Sequence, residues 1–113
     1  MRELSDIEFK EQIYDYDSQY FKYERPVLAD LVTEWCGACR VMASVLCSLE
    51  EKYKDKLEII KVDITRADAL ARALDIQSVP TLLFFKPRAV DKRILIGAIA
   101  SSIVEKTITE YLL

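Results

Sequence analysis

Residues 34 to 40 read EWCGACR, and the two cysteines in this stretch, Cys36 and Cys39, are the side chains best suited to form and break covalent bonds. If the pair opens a helix, the thiols lie about one turn apart on one face, with Cα atoms within the range a disulfide can bridge. Unpaired N–H groups at a helix amino terminus stabilise negative charge, so the Cys36 thiol should ionise below the roughly 8.5 of a free cysteine. Cys36 then attacks and Cys39 resolves. Gly37 lets a substrate backbone approach closely, and the single tryptophan, Trp35, supplies an apolar shield beside the reactive sulfur.

A metal site is the competing chemistry for such a pair. It needs three or four ligands, and the sequence has no histidine and no second CxxC. On a continuous helix Cys47 lies roughly 16 Å along the axis from Cys36 and about 12 Å from Cys39, too far to share an ion or a disulfide with either. Plain structural cysteines and a cluster bridged between subunits remain as alternatives, and the redox pair is the favoured reading. No metal and no bound cofactor are expected. Cys47 reads most simply as a small core residue or an unremarkable thiol.

The elements around the pair follow from apolar spacing. Arg2 to Leu4 has the length of an edge strand, and Ser5 with Glu8 forms a capping box that starts a helix running to about Tyr14. Asp15 to Arg25 has no clear period and reads as a loop or frayed helix; the aromatic-rich stretch of Tyr14, Tyr16, Tyr20, Phe21 and Tyr23 is expected to fold onto the first helix and the sheet edge, with a partner surface as the alternative. VLADLVT (27–33) is a strand covered on both faces. Val41, Met42, Val45, Leu46 and Leu49 recur at helical spacing, giving a helix over about 37–54. LEIIKVDI (57–64) is a second buried strand, followed by a short helix over about 67–74. TLLFFK (81–86) and RILIG (93–97) are strands whose link permits only an antiparallel hairpin. Ser102 with Glu105 caps a last helix that runs to the end.

The order β-α-β-α-β-α-β-β-α predicts a parallel start, a mixed five-stranded sheet and helices on both faces, a three-layer α/β/α sandwich in one domain spanning 1–113. The chain of 113 residues is 51 % hydrophobic and 31 % charged, with a net charge of -3, the balance of an ordinary globular protein without a nucleic-acid or anionic-membrane surface. No apolar run approaches the roughly 18 residues of a membrane helix, and the amino terminus lacks a signal-peptide pattern, so a cytoplasmic location is expected.

ADLVTEWCGAC followed downstream by VPT resembles the thioredoxin family, over nearly the whole chain and in the right order of elements. The resemblance implies a thioredoxin-like fold and a thiol-disulfide oxidoreductase that reduces protein disulfides, with Cys36 the nucleophile and Cys39 the resolving cysteine. It places Asp30 on the buried aspartate beneath the pair and Lys61 on the lysine beside it. Pro80 falls on the cis-proline facing the disulfide, and Gly97 on the glycine bordering the substrate groove. Trp35, Gly37, Ala38 and Val79 complete the substrate-facing set, the Val79 backbone pairing with an extended substrate segment. Disulfide-containing proteins are the implied substrates, and an NADPH-dependent flavin reductase the implied electron source for a protein expected to be a monomer.

The departures from the family pattern also carry information. Ala38 stands where proline is usual, which bears on the redox poise. Ser44 replaces a proline in the following helix, so a weaker kink is expected. IQSVPT and KPRAV lack glycines that are usual there. Asp30 interrupts an apolar strand, and a carboxylate there must be paired, hydrogen-bonded or protonated. Its functional reading is the proton acceptor for Cys39, with Lys61 or water as relay. The rival class is a thioredoxin-fold binding subunit that presents Trp35, Val79 and Gly97 to a partner while its cysteines turn over little.

Overall fold

The computed structural model describes residues 1–89 and 91–113. Five strands, β1 (Arg2–Leu4), β4 (Val27–Val32), β5 (Glu58–Asp63), β6 (Thr81–Phe85) and β7 (Arg93–Ile96), form one sheet in the order β1-β5-β4-β6-β7. β1 and β4 run parallel to β5, while β6 is antiparallel to both β4 and β7. Helices α1 (Asp6–Gln12), α2 (Gly37–Tyr53), α3 (Asp68–Ala73) and α4 (Ser101–Thr107) complete the chain, α4 passing into a wider π-helical turn over Ile108–Leu112. The expected mixed five-stranded sheet between helical layers is present.

Strand alternation sorts the core into two layers, because successive side chains leave a strand on opposite faces. Val27, Ala29 and Leu31 of β4 join Phe9, Ile13, Leu70 and Leu74 of α1 and the α3 region. Leu28 joins Met42, Leu46 and Leu49 of α2 and Val104 of α4 on the other face. Asp30, two residues beyond Leu28, therefore faces the α2 side.

The first helix has the expected capping box: the Ser5 hydroxyl accepts from the Glu8 N–H at 3.1 Å, and the Glu8 carboxylate accepts from the Ser5 N–H at 2.9 Å. The helix ends at Gln12, not near Tyr14, because the chain turns into a hairpin of β2 (Tyr14–Asp15) and β3 (Tyr20–Phe21). This replaces the expected loop or frayed helix. Its turn is built locally: the Asp15 carboxylate accepts from the Asp17 and Ser18 N–H groups, and Gln19 takes a left-handed φ of 57°. The aromatics do fold inward. Phe21 stacks on Phe85 at 5.4 Å between ring centroids, and Tyr14 meets the same ring at 4.7 Å.

Further positions differ from expectation. α4 starts at Ser101 with Ala100 at its cap and no side-chain capping bond. Glu105, expected to cap with Ser102, is instead bound to Lys52 and Tyr53 of α2, since a carboxylate near two donors on a packed neighbour gains more than one at a solvated helix end. Val41 on α2 is exposed, and of the two readings of Cys47 the structure has the exposed free thiol and not the core residue. The buried stripe is Cys39, Met42, Leu46, Leu49 and Tyr53, and a step of one residue from Met42 or Leu46 rotates a side chain by 100° out of it. α2 runs unbroken through Ser44, as the absence of a proline there allows. Of the KPRAV link, Val90 lies outside the described residues.

Candidate active site

Cys36 is the N-cap of α2, in extended conformation, and Cys39 lies in the helix's first turn. The two are joined as a disulfide with Cα atoms 5.2 Å apart. The Cys39 N–H donates to Cys36 Sγ at 3.1 Å, so one of the helix's unpaired donors already points at the sulfur that would carry a thiolate. Cys36 is half-buried and Cys39 is buried. That asymmetry fits an outer sulfur that meets a partner and an inner one that does not.

The loop before the pair is clamped from the end of β5. The Asp63 carboxylate accepts from both the Thr65 N–H and its hydroxyl, at 2.9 and 2.6 Å. The Thr65 hydroxyl oxygen in turn accepts from the Glu34 N–H at 3.1 Å, and Arg66 pairs with the Glu34 carboxylate at 3.3 Å. Asp63 and Thr65 had no place in the sequence reading. An Asp followed two residues on by Thr is the local signal of such a turn, but its reach to Glu34 depends on β4 and β5 being neighbours.

Beneath the pair, Asp30 and Lys61 are register partners in the parallel β4–β5 ladder, and Glu3 of β1 is the register partner of Lys61 on its other side. Together they line a recess of about 210 Å³ that also includes Cys36, Cys39, Arg40, Glu34 and Asp63. Asp30 is only 1 % exposed, and neither of its carboxylate oxygens has a hydrogen-bond partner among the described residues. Burial pushes its pKa up from 3.8 to about 6, and the Lys61 charge works in the opposite direction. The Lys61 ammonium itself lies 3.8 Å from Glu3 Oε1. A polar recess of this volume is large enough for water, so a water-borne proton path between Asp30 and Cys39 needs no direct contact.

Pro80 is buried, follows a cis peptide bond from Val79, and precedes β6. Thr81 is opposite Leu31 on one side and Ile96 on the other. That register brings Pro80 level with the end of β4, where the chain leaves for Cys36. The Gly97 N–H donates to the Pro80 carbonyl at 2.8 Å, and Gly97 adopts a φ of 92°, a conformation that favours glycine. Val79, Pro80 and Gly97 thus gather at the sheet end that carries the disulfide. Gly37 has open space where a side chain would stand, and Ala38 is half-buried. Trp35 is 88 % exposed, so it does not form the expected cover over the sulfur; its ring is open surface at the rim of the site.

The sequence profile of the Thioredoxin family matches residues 2–110. The chain belongs to the thioredoxin family. Its thioredoxin relatives include "Thioredoxin" from Porphyra purpurea, 31 % identical over 111 residues, covering 97 % of this chain and 95 % of the relative. "Thioredoxin" from Synechocystis sp. is 32 % identical over 111 residues with the same coverage. "Thioredoxin M-type, chloroplastic" from Spinacia oleracea is 36 % identical over 89 residues, 79 % of this chain and 49 % of that protein. The sheet and its four helices are the thioredoxin fold, and the chain is a thiol-disulfide oxidoreductase of the thioredoxin type.

Proposed function

We propose that this chain works in the reducing direction, as an electron carrier that opens disulfides in other proteins. The observation that carries this reading is the Cys36–Cys39 pair at the amino terminus of α2, with the Cys39 N–H already donating to Cys36 Sγ. In the dithiol form the Cys36 thiolate attacks one sulfur of the substrate disulfide, forming a mixed disulfide and releasing the other sulfur as a thiolate, which takes a proton from solvent. Cys39 then loses its proton to Asp30 through water and attacks Cys36 Sγ. The bond to the substrate breaks, the second substrate thiolate leaves, and Cys36 and Cys39 end as the oxidised pair. Two electrons pass from the pair to the substrate.

Trp35, Gly37, Ala38, Val79, Pro80 and Gly97 supply the rim against which a substrate segment lies, the Val79 backbone pairing with it as an added strand does. Lys61 moderates the charge on Asp30. Regeneration falls to an NADPH-dependent flavin reductase, and the protein acts as a monomer in the cytoplasm. No helix of the described residues is long and apolar enough to cross a membrane.

Insulin reduction in the presence of dithiothreitol, followed by turbidity, tests the reading. The parent should accelerate precipitation well beyond dithiothreitol alone, Cys36→Ser should not, and Cys39→Ser should accumulate a mixed disulfide visible on a non-reducing gel. Equal rates for the parent and Cys36→Ser would favour the binding-subunit reading instead.

A further inference from the structure

One acidic residue outside the disulfide and its aspartate stands in a position to act on both. Glu3, Lys61 and Asp30 occupy successive strands in register, β1, β5 and β4, so their side chains form a cross-strand row on the α2 face of the sheet. The row has a cation at its centre and a carboxylate at each end. The outer carboxylate is exposed and the inner one buried. Lys61 is 3.8 Å from the outer one, while the inner one has no hydrogen-bond partner among the described residues. On electrostatics alone the buried anion should win the cation, since attraction is stronger where solvent is excluded. The observed arrangement has the ammonium drawn outward.

We propose that Glu3 is a positioning residue for the proton-transfer step: by holding the Lys61 ammonium at the outer end of the row it keeps the cation from pairing directly with Asp30 and so limits its effect there, leaving the carboxyl free to take the Cys39 proton. The inference rests on the disulfide-exchange reading for its consequence, but its physical content is a three-residue charge row that exists whatever the chain reduces. The other charged or titratable groups that line the recess with Asp30 are Cys36 at the cap of α2, Cys39 and Arg40 of α2, Glu34 of the loop before it, and Asp63 of β5. Glu34 is committed to Arg66 and Asp63 to Thr65. Opposite Asp30 on β6 stands Leu82, which carries no charge. Lys61 is the cation whose charge acts on Asp30; it also acts on Asp63, two residues along its own strand, but its ion pair is with Glu3, the carboxylate that can be removed without touching the cysteines.

The sign follows directly. Replacing Glu3 by Gln removes a negative charge from the row and frees Lys61 to turn toward Asp30; both changes stabilise the Asp30 carboxylate, so it titrates at lower pH. A downward shift of about half a pH unit is expected, the size associated with a partly exposed ion pair. In a Lys61→Gln background the same Glu3→Gln change should shift Asp30 by less than half as much, because the route through the ammonium is gone.

The decisive measurement is the titration of the Asp30 side-chain carboxyl by carbon-detected NMR in the oxidised protein, for the parent, Glu3→Gln, Lys61→Gln and the double variant. Insulin reduction from pH 5 to 8 is run in parallel, where the acid limb of the Glu3→Gln rate should move down by the same amount. An Asp30 titration unmoved by Glu3→Gln, or moved equally with and without Lys61, overturns the proposal. Because the titration is read without turnover, absence of insulin reduction in the parent would count against the function proposed above while the charge row is still tested. A merely structural role for Glu3 would change the melting temperature without moving the titration.

Discussion

Asp30 combines a buried position, an upward-shifted pKa and two unpartnered oxygens, and each property follows from the strand that carries it. A carboxyl whose folded-state pKa of about 6 exceeds the 3.8 of the free side chain holds its proton more tightly in the native protein than in the unfolded chain. Stability therefore falls as pH rises from about 4 through 6, and above that window the full cost, about 3 kcal/mol from the size of the shift, is present. Asp30→Asn should raise stability by about 1–3 kcal/mol at pH 8, the amide still being a buried polar group, and by little at pH 4. Urea denaturation at the two pH values reads this, and an Asn variant no more stable than the parent at pH 8 contradicts it. The same variant should slow insulin reduction at neutral pH by about ten-fold or more, as loss of a proton acceptor does, and should lose the acid limb near pH 6. An enzyme that is both more stable and slower would show that the site keeps this carboxylate at the expense of the fold.

At the scale of elements, the ends of the strands do the positioning. Gly97 terminates β7 with a left-handed φ while its N–H reaches the Pro80 carbonyl. Gly97→Ala should destabilise by about 1–2 kcal/mol through the backbone conformation alone, although a Cβ there would meet nothing within 4 Å among the described residues; a thermal shift below about 1 °C would mean that the loop adapts. The β2–β3 hairpin depends on one ring. Phe85 receives Phe9, Tyr14 and Phe21, so Phe85→Ala should cost about 3–5 kcal/mol and expose the amides of residues 14–21 to fast hydrogen exchange. Protection retained in that hairpin would show that its own turn bonds suffice. This hairpin lay outside what periodicity could find, since two-residue strands are too short to show a period and their stability comes from an aromatic neighbour far along the chain. The swap of Glu105 from cap to interhelix partner has the same origin: capping is a local signal, while Lys52 and Tyr53 become its neighbours only when α2 and α4 pack.

The whole molecule is two apolar layers that share one sheet. β4 contributes Leu28 to one layer and Val27, Ala29 and Leu31 to the other. The radius of gyration of 12.8 Å is close to the roughly 13 Å of a single domain of this length. Loss of either layer strips one face of the same strands. Leu46→Ala in the α2 layer and Leu70→Ala in the α3 layer should each cost about 2–5 kcal/mol, and each variant should unfold in one transition with far- and near-UV circular dichroism coincident. Separate transitions for the two layers would contradict the shared sheet. The sequence by itself determined the order of the five strands of the main sheet and of the four helices, the cysteine pair at a helix start, and the apolar strand broken by Asp30, because these are set by residue type and spacing within one element. Only the tertiary structure decided that Glu3 and Lys61 stand in one row with Asp30, that Thr65 holds the loop before Trp35, that Gly97 bonds to Pro80, and that Cys47 faces solvent. Strand order, register and helix rotation fix those relations, and each is an agreement between distant segments that no single stretch of sequence contains.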